Sequence, residues 1–152
     1  MKKVTHKNNY TEMQKNQYNK GTNNHEDYWN ILLSPLKDKE NWKGKKALDF
    51  GCGKGRNVSN MLELCDWKRI DGIDISSANI DACKNISKKV KWYVNNGTDI
   101  SDLKTNEYDF IMSTIVLQHI PVYDIRKNIF TDILRTLKPG GLFSFQMGSG
   151  NC

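Results

Sequence analysis

Short apolar runs and amphipathic stretches alternate along the chain, regularly from about residue 45 onward. Residues 47–50 form a brief apolar run closed by Gly51. Such a run reads as a strand buried on both faces, the habit of parallel sheets. Val58, Met61, Leu62 and Cys65 then recur at helical spacing and predict a helix over 56–65. Residues 69–75 read as a second strand, and Ile80, Cys83 and Ile86 mark a second helix capped by Ser76 or Ser77. Residues 90–94 read as a third strand, turned by Asn95, Asn96 and Gly97, and 108–113 as a fourth. Val122, Ile125, Ile129, Ile133, Leu134 and Leu137 predict a long amphipathic helix. Lys138, Pro139, Gly140 and Gly141 break it ahead of a fifth strand over 142–147. This succession predicts an α/β fold, a doubly wound and mostly parallel sheet with helices on both faces.

The pattern fails toward the N-terminus. Residues 1–24 are rich in Lys, Asn, Thr and Gln, with sparse apolar positions and no period. They read either as a flexible arm or as a lid anchored by Tyr10 and Tyr18. Residues 25–152 then form the folded domain. Tyr28, Ile31, Leu32 and Leu36 predict a helix over 25–36, with Glu26 and Asp27 in its first turn and Pro35 perturbing or ending it. A charged link follows, with Trp42 packed at the sheet's edge.

The chemistry concentrates where the first strand ends. Gly51, Gly53 and Gly55 stand at alternate positions between that strand and the first helix. Glycine permits a sharp turn and a close ligand approach, and the helix N-terminus adds unpaired N–H groups. A strand, a glycine turn and a helix open a nucleotide-binding βα unit. A dinucleotide fingerprint spaces its glycines G-x-G-x-x-G. Here the third glycine comes one residue early, and Arg56 stands where that pattern wants glycine, so a nicotinamide dinucleotide is not expected. Asp49 beside the turn would repel a pyrophosphate but suits a ligand bearing an ammonium and a sulfonium. Asp74 ends the second strand roughly 20 residues further on, where such folds place the acid that accepts both ribose hydroxyls. It also reads as a helix N-terminal acid ahead of Ser76 and Ser77.

Asp49-Phe50-Gly51-Cys52-Gly53-Lys54-Gly55 resembles the D-x-G-x-G-x-G motif of class I S-adenosylmethionine-dependent methyltransferases. Val116-Leu117-Gln118-His119-Ile120 resembles a second stretch of that family, and Leu137-Lys138-Pro139-Gly140-Gly141 a third. The resemblance covers about residues 28–147 and implies S-adenosyl-L-methionine as cofactor and S-adenosyl-L-homocysteine as product. It implies that Asp49, Gly51, Cys52, Gly53 and Gly55 surround the methionine end, and that Asp74 and Ile75 meet the ribose and adenine. By position, Asp99 would accept from the adenine amino group and Ile100 would lie on the ring, with Gly97 and Thr98 in the same loop. Asp99 also reads as the cap of a short turn over 101–103. Ser113, Thr114 and Val116 would line the cleft near the methyl group. His119 is a candidate base, or a structural residue between loop and helix.

The same resemblance narrows the acceptor. DNA amino-methyltransferases carry Asp/Asn-Pro-Pro-Tyr/Phe after the fourth strand, and C5-pyrimidine enzymes carry Pro-Cys. This chain has Ser113-Thr114-Ile115-Val116 there. A small-molecule acceptor is therefore expected, and nucleic acid is not. The family ordinarily continues with a further helix and an antiparallel hairpin, so the sheet is expected to be truncated after its fifth strand. That strand's edge would be exposed, which leaves self-association open. A non-catalytic cofactor-binding module needing a partner is the alternative reading.

Composition alters this little. The net charge of +6, from 23 basic and 17 acidic residues, is spread over scattered lysines rather than a patch. Cys52, Cys65, Cys83 and Cys152 form no C-x-x-C pair, and no histidine lies at metal spacing. They read as free thiols in a reducing, cytoplasmic setting without a bound metal. No apolar run has signal-peptide or membrane-spanning character.

Overall fold

The five apolar runs become five strands in the computed structural model, which describes residues 31–148. The arm or lid expected over 1–24, and most of the helix expected over 25–36, lie outside the described residues. The strands are β1 (Lys46–Phe50), β2 (Arg69–Asp74), β3 (Val90–Val94), β4 (Tyr108–Ser113) and β5 (Leu137–Phe145). They form one sheet in the order β3-β2-β1-β4-β5, and every ladder is parallel. The helices are α1 (Arg56–Leu64), α2 (Ser77–Cys83) and α3 (Tyr123–Thr136).

Strand alternation sorts the core into two layers. Ala47, Phe110 and Met112 point to one face, where Val58 and Met61 of α1, Ile80 of α2, Leu36 and Trp67 cover them. Leu48, Phe50, Ile73 and Ile111 point to the other, beneath Ile125, Ile129 and Ile133 of α3. Both faces are covered, as a parallel sheet requires. Trp42 packs against that layer, its ring centroid 5.8 Å from Trp67 and 5.2 Å from Phe110.

Two boundaries differ from expectation. Pro35 sits at the start of a separate 3₁₀ turn, Ser34–Lys37, where its missing N–H costs nothing. β5 begins at Leu137, directly after α3, and takes in the proline–glycine stretch instead of following it. Its pairing shifts from Tyr108↔Leu137 to Phe110↔Leu142. The extra residues are accommodated by a bulge, with Gly140 at φ +75°.

Charge ties the entry ends of the strands together. Glu107 accepts from Lys46 and Arg69, each at 2.8 Å. Arg69 also pairs with the fully buried Asp71 at 2.8 Å, and Tyr108 donates its hydroxyl to Asp71 at 2.7 Å. The exit ends all lie along the opposite margin, because every strand runs the same way. The chain leaves β1 toward β2 on one side and reaches β4 on the other, so the strand order reverses between β1 and β4. Open α/β sheets bind ligands outside the exit ends at such a reversal. No helix of the described residues is long and apolar enough to cross a membrane.

Candidate functional site

Asp49 stands near the exit end of β1 on the face covered by α1, and it is fully buried. α1 starts beyond Gly55, whose φ of +81° ends the glycine turn and aims the helix back across the sheet. Its first turn brings Asn57, itself 4% exposed, over Asp49. The Asn57 amide donates to Asp49 Oδ1 at 3.3 Å and to Thr114 Oγ1 at 3.0 Å, bridging β1 to the loop after β4. With Asp49 ionised its oxygens accept, and the Asn57 nitrogen is the amide atom that faces them. Asp49 Oδ2 and Asn57 Oδ1 are then buried acceptors with no hydrogen-bond partner among the described residues. Burial pushes the Asp49 pKa up to about 7; the Asn57 hydrogen bond and Arg56 oppose that rise, and Asp74 adds to it.

The glycine turn crosses directly above. The space beside Gly51 (φ +76°) is taken by the Val116 side chain, so any other residue at 51 would collide with it. The turn's amides are committed within the protein. Gly51 and Cys52 both donate to Ile73 O, at 2.8 and 3.0 Å, and Gly55 donates to Cys52 O at 2.9 Å. Gly53 donates to Asp74 Oδ2 at 2.9 Å. These four amides make no phosphate cradle, in keeping with a carboxylate at the strand end. The Cys52 side chain turns inward to Cys83, whose hydrogen bond, together with burial, holds the Cys52 thiol well above its ordinary pKa. Cys52 therefore faces the cleft through its backbone.

Asp74 is 7% exposed at the end of β2. Besides Gly53, it accepts from Ser76 N at 2.8 Å and Asn79 Nδ2 at 3.4 Å. It thus serves the following helix as an N-terminal acid and pins the glycine turn as well. A carboxylate has about four lone-pair positions, so receiving two ribose hydroxyls requires one of these bonds to yield. Ile75 beside it is half-buried.

The loop after β3 holds itself. Asp99 accepts from the Ser101 hydroxyl at 2.7 Å and from Thr98 and Asn96 at 2.9 and 3.1 Å. These bonds, led by Ser101, lower its pKa to about 2. Ile100 is 3% exposed and packs with Leu103 in the α3 layer. Gly97 turns the loop at φ +81°. This arrangement matches the turn-capping alternative for Asp99.

After β4 the chain is strained. Ile115 has φ +56°, a region that a β-branched residue rarely enters and that is enriched at ligand sites. Ser113 points to the face opposite Asp49, by strand alternation, and its carbonyl accepts from Gln146 N at 3.0 Å. His119 ends the 3₁₀ turn Leu117–His119, half-buried, its ring 3.4 Å from the Gln118 amide. No cluster of three or more metal-ligating residues occurs among the described residues.

Asp49, the glycine turn, Asp74, Thr114 and Val116 are thus brought together, whereas Asp99 and Ile100 sit in contacts of their own. Asn57 and Ile115 are the residues that sequence reading passed over. Asn57 did leave a signal: it lies four residues before Met61, a polar side chain on the helix's buried face.

A family profile described as a methyltransferase domain matches residues 48–145, well over half of the chain. The chain is 28% identical over 104 residues to the sterol 24-C-methyltransferase of Schizosaccharomyces pombe, a match covering 66% of this chain and 27% of that protein. It is 26% identical over 105 residues to the fatty-acid O-methyltransferase of Mycolicibacterium smegmatis, covering 68% of this chain and 37% of that one. The chain therefore spans 27% and 37% of the length of these curated relatives. Among solved structures it is similar to a Haemonchus contortus phosphoethanolamine N-methyltransferase in complex with phosphomonomethylethanolamine and S-adenosylhomocysteine. That likeness has 26% identity and a TM-score of 0.63 over 82% of this chain and 30% of the other.

Proposed function

From the membership of this chain in the methyltransferase-domain family, of the class I S-adenosylmethionine-dependent kind, we propose that it binds S-adenosyl-L-methionine at the exit ends of β1, β2 and β4 and methylates a small molecule. One observation carries the proposal: a fully buried carboxylate, Asp49, keeps one oxygen unmatched at the strand-order reversal. A buried acceptor is costly unless it meets a donor, and a cationic donor suits an acid best.

The residues fit the cofactor. Ionised Asp49 would hold its ammonium group. The glycine turn gives it close passage, with Val116 beside Gly51, and Asp74 with Ile75 would take the ribose and adenine. Gly97, Thr98, Asp99 and Ile100 would border the adenine side, and Ser113 and Thr114 the methyl end. When bound, the cofactor supplies an activated methyl group open to in-line displacement. The protein's share is then to orient and to exclude water. His119 is the candidate for taking an acceptor proton. The curated relatives are named for a carbon and an oxygen acceptor, and the structural one for nitrogen.

Titration calorimetry with S-adenosyl-L-methionine and S-adenosyl-L-homocysteine tests binding, with a nicotinamide dinucleotide as the ligand expected not to bind. Release of S-adenosyl-L-homocysteine across a set of small-molecule acceptors tests turnover. A second reading, a cofactor-holding module completed by another polypeptide, draws on β5. It is an edge strand that exposes Leu142 and Phe145, with Met147 exposed just beyond it. Tight binding without turnover on any acceptor would favour that reading.

A further inference from the structure

Asn57 does more at this site than hold a helix in place. Both hydrogens of its amide nitrogen are spent, one on Asp49 and one on Thr114. Its oxygen is left as a buried acceptor with no partner among the described residues, and Asp49 Oδ2 is left in the same condition. The two side chains are joined by a hydrogen bond, so the two unmatched oxygens belong to one buried polar cluster. The two unmatched atoms are both acceptors, and Asp49 carries a negative charge when ionised, with Arg56 acting on it from alongside. Water would satisfy the cluster without using the charge, and an anion would be repelled. A primary ammonium carries three N–H donors and one positive charge, and so matches a neutral acceptor beside a charged one.

We infer that Asn57 is a direct ligand of the cofactor's amino-acid ammonium, sharing that group with Asp49 through its side-chain oxygen. The inference rests on the cofactor reading above. An asparagine suits this position better than an acid would. A second carboxylate against Asp49 would set two like charges in a dry site and favour protonation of one of them. The amide instead donates to Asp49 with one atom and accepts from the ligand with the other, and so orients the carboxylate it works beside.

The test compares two ligands that differ in the amino-acid tail whose ammonium Asp49 and Asn57 would share. S-adenosyl-L-homocysteine carries the amino-acid tail, whereas methylthioadenosine has the same nucleoside and thioether without it. Both are titrated against wild type and Asn57→Leu. The expected result is a loss of about 10- to 100-fold in affinity for S-adenosyl-L-homocysteine, with methylthioadenosine affinity unchanged within about twofold. Retained methylthioadenosine binding also certifies the fold. If the leucine variant does not fold, Asn57→Ala gives the same comparison with room left for water. Equal weakening of both ligands would make Asn57 a structural residue and overturn the inference, as would unchanged affinity for both. Wild type binding neither ligand would instead overturn the cofactor reading itself.

Discussion

The indole of Trp92 fills the space that a side chain at Gly72 would need. The two residues are partners across the β2–β3 ladder, and a Cβ built on Gly72 would come within 2.5 Å of the Trp92 ring. Asp49 is the partner of Gly72 on its other side, so Trp92, Gly72 and Asp49 form one row on the α1 face. The glycine in β2 is there for its neighbour and not for a turn.

Gly72→Ala is therefore expected to destabilise the protein by about 1–3 kcal/mol through overpacking. Urea unfolding measures this directly. Pairing Gly72→Ala with Trp92→Leu should recover part of the loss, because the clash involves that one ring.

Asp49 makes stability and binding respond oppositely to pH. Burial raises its pKa from 3.8 to about 7. The folded state then binds this proton more tightly than the unfolded chain, so its contribution to stability falls as pH rises from about 4 to about 7 and levels off above. Asp49→Asn should accordingly stabilise the ligand-free protein by a few kcal/mol at pH 8 and hardly at all at pH 4. The same variant should bind S-adenosyl-L-homocysteine at least about tenfold more weakly. In wild type, affinity should drop as pH falls below about 7, because the ionised acid is the form that meets an ammonium. Unfolding and calorimetry across pH 5–9 check both trends.

Asp74→Ala should lose on two counts. It leaves Gly53 N and Ser76 N without their carboxylate, which costs about 1–2 kcal/mol of stability. It should also weaken S-adenosyl-L-homocysteine by roughly 1–3 kcal/mol, through the lost hydroxyl contacts and a loosened glycine turn. A stability loss with unaltered ligand affinity would leave Asp74 a helix-capping acid.

Ile115→Gly should stabilise the protein by about 1 kcal/mol, since glycine accepts φ +56° without the clash a β-branched residue meets. Thermal unfolding should shift upward by about 2–4 °C. A downward shift would mean that the Ile115 side chain contributes more through packing than its backbone loses through strain.

What could be read from the chain followed the reach of the interactions involved. The strands and helices were legible because alternation and helical spacing are local, and so was the clustering of candidate residues at the strand ends, which parallel order enforces. The start of β5 was not, because Pro139 and Gly140 look like punctuation until β4 supplies a partner with a bulge. Ile115 carried no mark, since its strain arises from how β4 leaves the sheet. The Asp99 cap on Ser101 was legible from spacing, whereas the packing of Ile100 beneath α3 was not, because it joins segments distant in the sequence. Asp74 fell between: its place at the end of β2 was legible, but its grip on Gly53 was not.

Lys46, Arg69 and Glu107 brace β1, β2 and the approach to β4 at one margin of the sheet. The other margin carries turns built on Gly51, Gly53 and Gly55. The braced margin fixes how far apart β1 and β2 stand, and with them Asp49 and Asp74 at the far ends. The width of the gap between those two acids is thus set from the opposite side of the sheet.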